Sequence, residues 1–135
     1  MPTRLALGAS GNSDDRTELF DTLADNLKRI GLNTHFGPSL TMSSALGVNL
    51  SSIYTFGNNP KMTAEIAHEL ANAFNKHDIL WIPQGFPGGG ANREGKADAV
   101  LISAKNSYLE RDGYPYLIAI KEGVPMMHVG NTLVK

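Results

Sequence analysis

Apolar residues recur along the chain with two different spacings, and the alternation between them outlines the fold. In "GNSDDRTELFDTLADNLKRIG" the residues Leu19, Phe20, Leu23, Leu27 and Ile30 fall on one face of a helix. Asn12 or Ser13 can cap that helix, Asp14 and Asp15 lie beside the positive end of its dipole, and Lys28, Arg29 and Gly31 mark its end. A second helix is predicted over "NPKMTAEIAHELANAFNKH", with Asn59 as cap, Pro60 at the first helical position, and Ile66, Leu70 and Phe74 as its buried stripe. Ala67, Ala71 and Ala73 allow close packing there.

Short apolar runs separate these helices. "RLALGAS" predicts a strand over residues 5–7, "LNTHFGP" a second, and "ILWIP" a third. The last is unbroken and bounded by polar residues, which suits a central parallel strand covered on both faces. Between the second strand and the second helix, residues 38–58 are rich in Ser, Gly and Asn without a steady period. A connection that long is either a binding loop or lid, or irregular surface with one short helix or hairpin.

Residues 93–113 fit both a helix, through Ala97, Val100, Leu101, Ala104 and Tyr108, and a short strand in "AVLIS". The spacing persists for three turns, so a helix is predicted. Residues 114–130 then read as helix followed by strand, because Pro115 and Gly123 bracket "YLIAIKEG"; a hairpin is the alternative. The sum predicts one α/β domain over residues 1–135, a three-layer α/β/α sandwich with a mostly parallel sheet.

Composition narrows the function classes. Twelve basic against thirteen acidic residues give a net charge of −1, which lacks the basic excess of a nucleic-acid footprint. No apolar run approaches the length of a membrane span. The first ten residues do not read as a signal peptide. The chain has no cysteine, hence no disulfide, thiolate nucleophile or zinc–sulfur site, and this fits a cytoplasmic protein. The four histidines show no metal-ligand spacing, so neither metal nor other cofactor is expected. A small-molecule ligand is the expected partner, with a homodimer as a further option and neither nucleic acid nor membrane.

Candidate chemistry concentrates in two glycine loops that would leave parallel strands, where open sheets collect ligands. The first offers Ser10, Gly11, Asn12 and Ser13, ahead of a capped helix; simple turn and capping duty is the competing account. The second, in "DILWIPQGFPGGGANR", offers Gly85, Gly88, Gly89 and Gly90, then Asn92 and Arg93. Backbone N–H groups freed by glycine can face an anion or an oxyanion, and Arg93 can fork onto a carboxylate or phosphate. A tight strand-to-helix connection is the alternative. His128, at the end of an expected inner strand, is the candidate acid or base, with a partly buried structural histidine as the stronger alternative. These groups share one cleft only if both loops lie at the same end of the sheet.

The stretch "AEIAHELANAFNKHDILWIPQGFPGGGANR" resembles part of the N-terminal domain of the LD-carboxypeptidase family, serine peptidases that include the microcin-immunity peptidases. Its helix, short apolar strand and Gly-Gly turn carry the resemblance, with "LKRIGLNTHFGPSL" and "AIKEGVPMMHVGNTLV" as looser matches. The family's nucleophile motif meets Pro115 at the serine position, and its C-terminal domain has no counterpart. In "DILWIPQGF" and "GVPMMHVGN" the chain is also similar to class I glutamine amidotransferases, whose cysteine would fall near Gly130. Both resemblances imply a flavodoxin-like fold without the nucleophile. The function expected is a small hydrolase or transferase binding a carboxylate- or phosphate-bearing molecule; the alternative is a non-catalytic binding or assembly module.

Overall fold

The computed structural model describes residues 1–43, 52–88, 100–102, 110–130 and 132–134. Its elements run α1 (Arg4–Ala9), α2 (Ser13–Arg29), β1 (Thr34–Ser39), a 3-10 turn (Ser52–Tyr54), α3 (Pro60–Lys76), β2 (Leu80–Phe86), β3 (Val100–Ile102), α4 (Tyr114–Lys121), β4 (His128–Val129) and β5 (Thr132–Val134). Among the described residues all strand pairs are parallel: β1, β2 and β4 form one sheet in that order, and β3 pairs with β5. The chain thus has the expected α/β fold on a parallel sheet, consistent with a three-layer α/β sandwich.

Both long helices start as the sequence predicts. The Asn12 side chain accepts from the Asp14 and Asp15 amides at 3.0 and 3.4 Å. Asn59 accepts from Lys61 and Met62 at 3.0 and 3.3 Å, with Pro60 opening α3. Each cap satisfies amides that have no partner inside the helix. Along α2, Phe20 and Ala24 are buried, and Leu19, Leu23 and Leu27 pack against the core. Ile30 departs from the predicted stripe: it lies past the last helical turn and is 73% exposed.

Helix α3 is central, packing on α2, α4 and β2. Its Ile66, Leu70 and Phe74 are fully covered, and the small residues Ala67 and Ala71 are buried beside them. Phe74 meets the sheet, its ring centroid 5.0 Å from His35 in a stacked arrangement and 6.3 Å from Trp81. His35 and Trp81 are register partners on β1 and β2, so they project to the same side and share this contact. The Trp81 indole N–H donates to the Gly37 carbonyl at 2.9 Å, and His35 Nδ1 lies 2.6 Å from that same oxygen.

Two elements differ from the sequence expectation. Residues 5–7 are not a strand but the centre of helix α1. Thr3 caps it, its Oγ1 accepting from the Ala6 amide at 3.2 Å, and the Arg-Leu-Ala-Leu run has high helix propensity. The alternation of Leu5 and Leu7 misled because only Leu7 enters the core. The helix instead docks on the 3-10 turn, where Arg4 donates to the Tyr54 carbonyl at 2.9 Å.

The second difference is Val100–Ile102, a strand rather than part of a helix. Its ladder with β5 pairs Val100 with Thr132 and Ile102 with Val134, thirty-two residues on. Local apolar spacing carries no information about such a partner. Residues 93–99 and 103–109, where most of the rest of that helix was expected, lie outside the described residues.

The predicted helix-then-strand at residues 114–130 is present as α4 and β4. In the 38–58 connection, Leu40, Met42 and Phe56 are buried, so part of it is core. Among the described residues, no helix is long and apolar enough to cross a membrane.

Candidate functional site

A group of polar residues converges at the carboxyl ends of β1 and β2. Ser39, the last residue of β1, has its hydroxyl 2.7 Å from that of Thr41 and also accepts from the Thr41 amide at 3.2 Å. Tyr116, fully buried on α4, donates its hydroxyl to the Gln84 carbonyl of β2 at 2.9 Å. The same carbonyl accepts from the Leu40 amide at 3.3 Å. Gln84 O therefore ties together β2, the segment after β1, and α4.

Gly85 follows at φ +90°, a conformation that disfavours any side chain. A Cβ there would stand 2.8 Å from Ser39 Oγ, 2.9 Å from Thr41 Cγ2 and 3.0 Å from Tyr116 Oη. The backbone of β2 is thus pressed directly against three hydroxyl-bearing side chains. Beyond it, the Gly88 amide donates to the Gly85 carbonyl at 2.7 Å and closes a four-residue turn. Gly88, at φ +107°, sits against Asp112; a Cβ would lie 3.0 Å from both the Asp112 Cβ and its carbonyl oxygen.

Asp112 brings a carboxyl to this end of the sheet. Burial pushes its carboxyl above the ordinary carboxylate value, and the neighbouring Arg111 partly opposes that rise. Its Oδ1 is buried without a hydrogen-bond partner. Arg111 donates to the Ser43 carbonyl at 3.3 Å. On β4, the exposed His128 is the register partner of Gln84, and its ring meets Phe36 of β1 edge-on at 5.3 Å.

The residues expected from the sequence divide into three groups. Gly85, Gly88 and His128 lie at this end, with Gly85 and Gly88 in one turn. Ser10, Gly11, Asn12 and Ser13 do not follow a strand; they join α1 to α2. There Ser10 donates to the Leu7 carbonyl at 2.9 Å, Asn12 caps α2, and Ser13 donates to Glu69 at 2.6 Å. Gly89, Gly90, Asn92 and Arg93 lie outside the described residues.

Ser39, Thr41, Gln84, Asp112 and Tyr116 were not singled out from the sequence. The only cue was position: a hydroxyl or amide just past a strand, or just before a helix, looks like any turn residue until the strands pair. The other histidines have structural neighbours. His68 lies 3.0 Å from Glu122 and 2.9 Å from Asn72, and His77 lies 2.8 Å from Asp21. Among the described residues, no three His, Asp or Glu side chains group closely enough to hold a metal ion.

Comparison with known proteins gives a consistent answer. The profile of the glycosyl hydrolase family 3 N terminal domain matches residues 1–133. No curated protein sequence matches the chain. Among solved structures, it is similar to a family 3 glycosyl hydrolase from Mycobacterium smegmatis, with 18% identity and a TM-score of 0.81 over 99% of this chain and 41% of that one. NagZ from Neisseria gonorrhoeae gives 22% identity and 0.81 over 99% of this chain and 42% of that one. A family 3 beta-N-acetylglucosaminidase from Paenibacillus gives 24% and 0.83, covering 97% of this chain and 25% of that one. The chain spans about two fifths, or less, of the length of these proteins.

These matches overturn the resemblance to LD-carboxypeptidases and glutamine amidotransferases. A helix, an apolar strand and a glycine turn form a unit common to many α/β proteins, so the pattern was real but not specific to those families.

Proposed function

Because the chain belongs to the glycosyl hydrolase family 3 N-terminal domain family, a hydrolase domain, we propose that it binds a glycoside at the carboxyl ends of β1, β2 and β4. The observation that carries this reading is the set of neutral polar side chains gathered there. Ser39, Thr41 and Tyr116 surround Gly85, and the Gln84 side chain lies against Gly37 of β1. Hydroxyl and amide groups both donate and accept, which matches the hydroxyl rim of a sugar. Parallel α/β folds carry their ligands at this end of the strands.

A glycoside takes the place of the carboxylate- or phosphate-bearing ligand suggested by the glycine loops. Arg111 is already engaged by the Ser43 carbonyl, and the hydroxyl groups around Gly85 carry no charge to pair with an anion. The solved structures also guide the choice of sugar, since two of those similar to this chain are beta-N-acetylglucosaminidases. An N-acetylglucosaminide is therefore the first substrate class to try.

Glycoside hydrolysis ordinarily needs two carboxyl groups flanking the scissile bond, one of them protonated. Asp112, whose burial favours the protonated form, is the carboxyl that the described residues place at this end. A second has no assignment among them, which keeps a non-catalytic sugar-binding module as the second reading. The experiment is to titrate the isotope-labelled protein with N-acetylglucosamine by NMR and to assay release of 4-nitrophenol from its β-glycoside. Saturable shifts at Ser39, Thr41, Gln84 and Gly85 support sugar binding, and nitrophenol release adds hydrolysis. A titration without saturable shifts overturns both readings.

A further inference from the structure

The ladder is irregular on both sides of Gln84. Toward β1, Phe36 to Ser39 is three positions while the opposing Ile82 to Gln84 is two. Toward β4, Gln84 to Phe86 is two positions while the opposing His128 to Val129 is one. Gly85 is therefore the extra residue of β2, a bulge, and its φ of +90° is the conformation a glycine takes in that role. A bulge bends the strand that carries it, so it sets the direction in which the chain leaves the sheet.

Helix α4 meets both ends of the turn that starts here. At one end the fully buried Tyr116 donates to the Gln84 carbonyl at 2.9 Å, and its Oη lies 3.0 Å from where a Cβ on Gly85 would stand. Its ring also meets Phe86 edge-on at 5.7 Å. At the other end Asp112, two residues ahead of the helix, lies against Gly88, whose amide closes the turn on the Gly85 carbonyl at 2.7 Å.

The Gln84 carbonyl is not satisfied by Tyr116 alone, because the Leu40 amide also donates to it at 3.3 Å. What the phenol adds is direction. A donor carried by a packed helix fixes the plane of the Gln84–Gly85 peptide, and with it the start of the turn.

We infer that Tyr116 is a positioning residue, whose hydroxyl holds the Gly85 bulge and the turn to Gly88 in the form that a bound glycoside meets. The inference rests on the glycoside-binding reading. Tyr116 acts through the Gln84 carbonyl and does not itself touch the sugar.

The test compares wild type with Tyr116→Phe, which keeps the ring against Phe86 and removes only the hydroxyl. Affinity for N-acetylglucosamine is read by NMR titration, opening of the turn by hydrogen exchange at the Gly88 amide, and folding by thermal melts. Loss of one hydrogen bond is expected to weaken sugar binding about fivefold and to speed Gly88 exchange about fivefold. Should the variant not fold, the wild type alone decides. A clamped turn opens only when the helix leaves, so the Gly88 amide is expected to match the protection of the Leu117 amide in α4 within about threefold. Gly88 protection far below that of Leu117 overturns the inference.

A lower melting midpoint with unchanged affinity makes Tyr116 a core residue only, and overturns the positioning role while leaving sugar binding intact. Weaker binding without faster Gly88 exchange shows that the effect bypasses the turn, and overturns it too. Absence of saturable binding by the wild type removes the glycoside reading itself, and the positioning role with it.

Discussion

Asp112 and His35 impose opposite pH dependences on stability. Burial raises the Asp112 carboxyl above its ordinary value of 3.8, so the folded protein holds that proton where the unfolded chain has lost it. Stability from this group is therefore greatest in acid and falls as pH rises from the ordinary carboxylate value through the raised one. Asp112→Asn removes the ionisation while keeping the shape. It is expected to raise stability more at pH 7 than near pH 3.5, in urea denaturation at the two pH values. His35 behaves in the opposite sense. Burial lowers its pKa below 6.5, so its contribution is present above that value and lost as pH falls through the window below it. The Asn variant should retain this loss of stability on mild acidification.

Single residues were legible where their partners are close in sequence. Asn12 and Asn59 bond to amides two and three positions on, and both were identifiable as caps. Ser13 was not: its hydroxyl meets Glu69, fifty-six positions away. The same holds for Tyr116, whose bond to the Gln84 carbonyl spans thirty-two positions.

Between elements, the pairing of α2 with α3 depends on a charge that no periodicity argument would place in the core. Arg16 is 2% exposed, on the face where Phe20 and Ala24 are also buried. Its guanidinium forks onto Glu69 of α3 at 2.8 and 2.7 Å, and Ser13 supplies a third bond to that carboxylate. Arg16 Nη1 is left buried without a hydrogen-bond partner. Removing one partner strands the other charge, so Glu69→Ala is expected to cost about 3–5 kcal/mol. The double variant Arg16→Met, Glu69→Leu should recover most of that loss, because buried pairs gain little over well-packed apolar groups. Chemical denaturation of the two variants and wild type checks both expectations.

The two misassigned elements fail for related reasons. Helix α1 is six residues long, too short for its period to be told from an alternation, and its fate is set by the Thr3 cap and the turn it rests on. Strand β3 is three residues long and depends on β5. Long helices with their own caps announce themselves; short elements take their conformation from what they pack against.

Across the whole molecule, the α/β class was legible because the order of helices and strands survives even when one or two elements are misread. The site was legible only in outline. "ILWIPQGF" is visibly a strand running into glycines, and Gly85 and Gly88 do close a turn at its end. Which groups face that turn depends on the pairing of β1 with β2 and on the docking of α4, neither of which leaves a local mark. The family was misjudged because the segment with the clearest pattern encodes a common supersecondary unit.

The seam between α3 and the sheet also has an optical consequence. Trp81 is the single tryptophan of the chain, 3% exposed, with its indole N–H on the Gly37 carbonyl and Phe74 across from it. All indole fluorescence therefore originates at one point, where the central helix meets the β1–β2 ladder. Its emission should move to the red when that seam opens, and it should dim as the adjacent His35 gains a proton. A single wavelength can thus distinguish separation of helix from sheet from fraying elsewhere, without any label added to the protein.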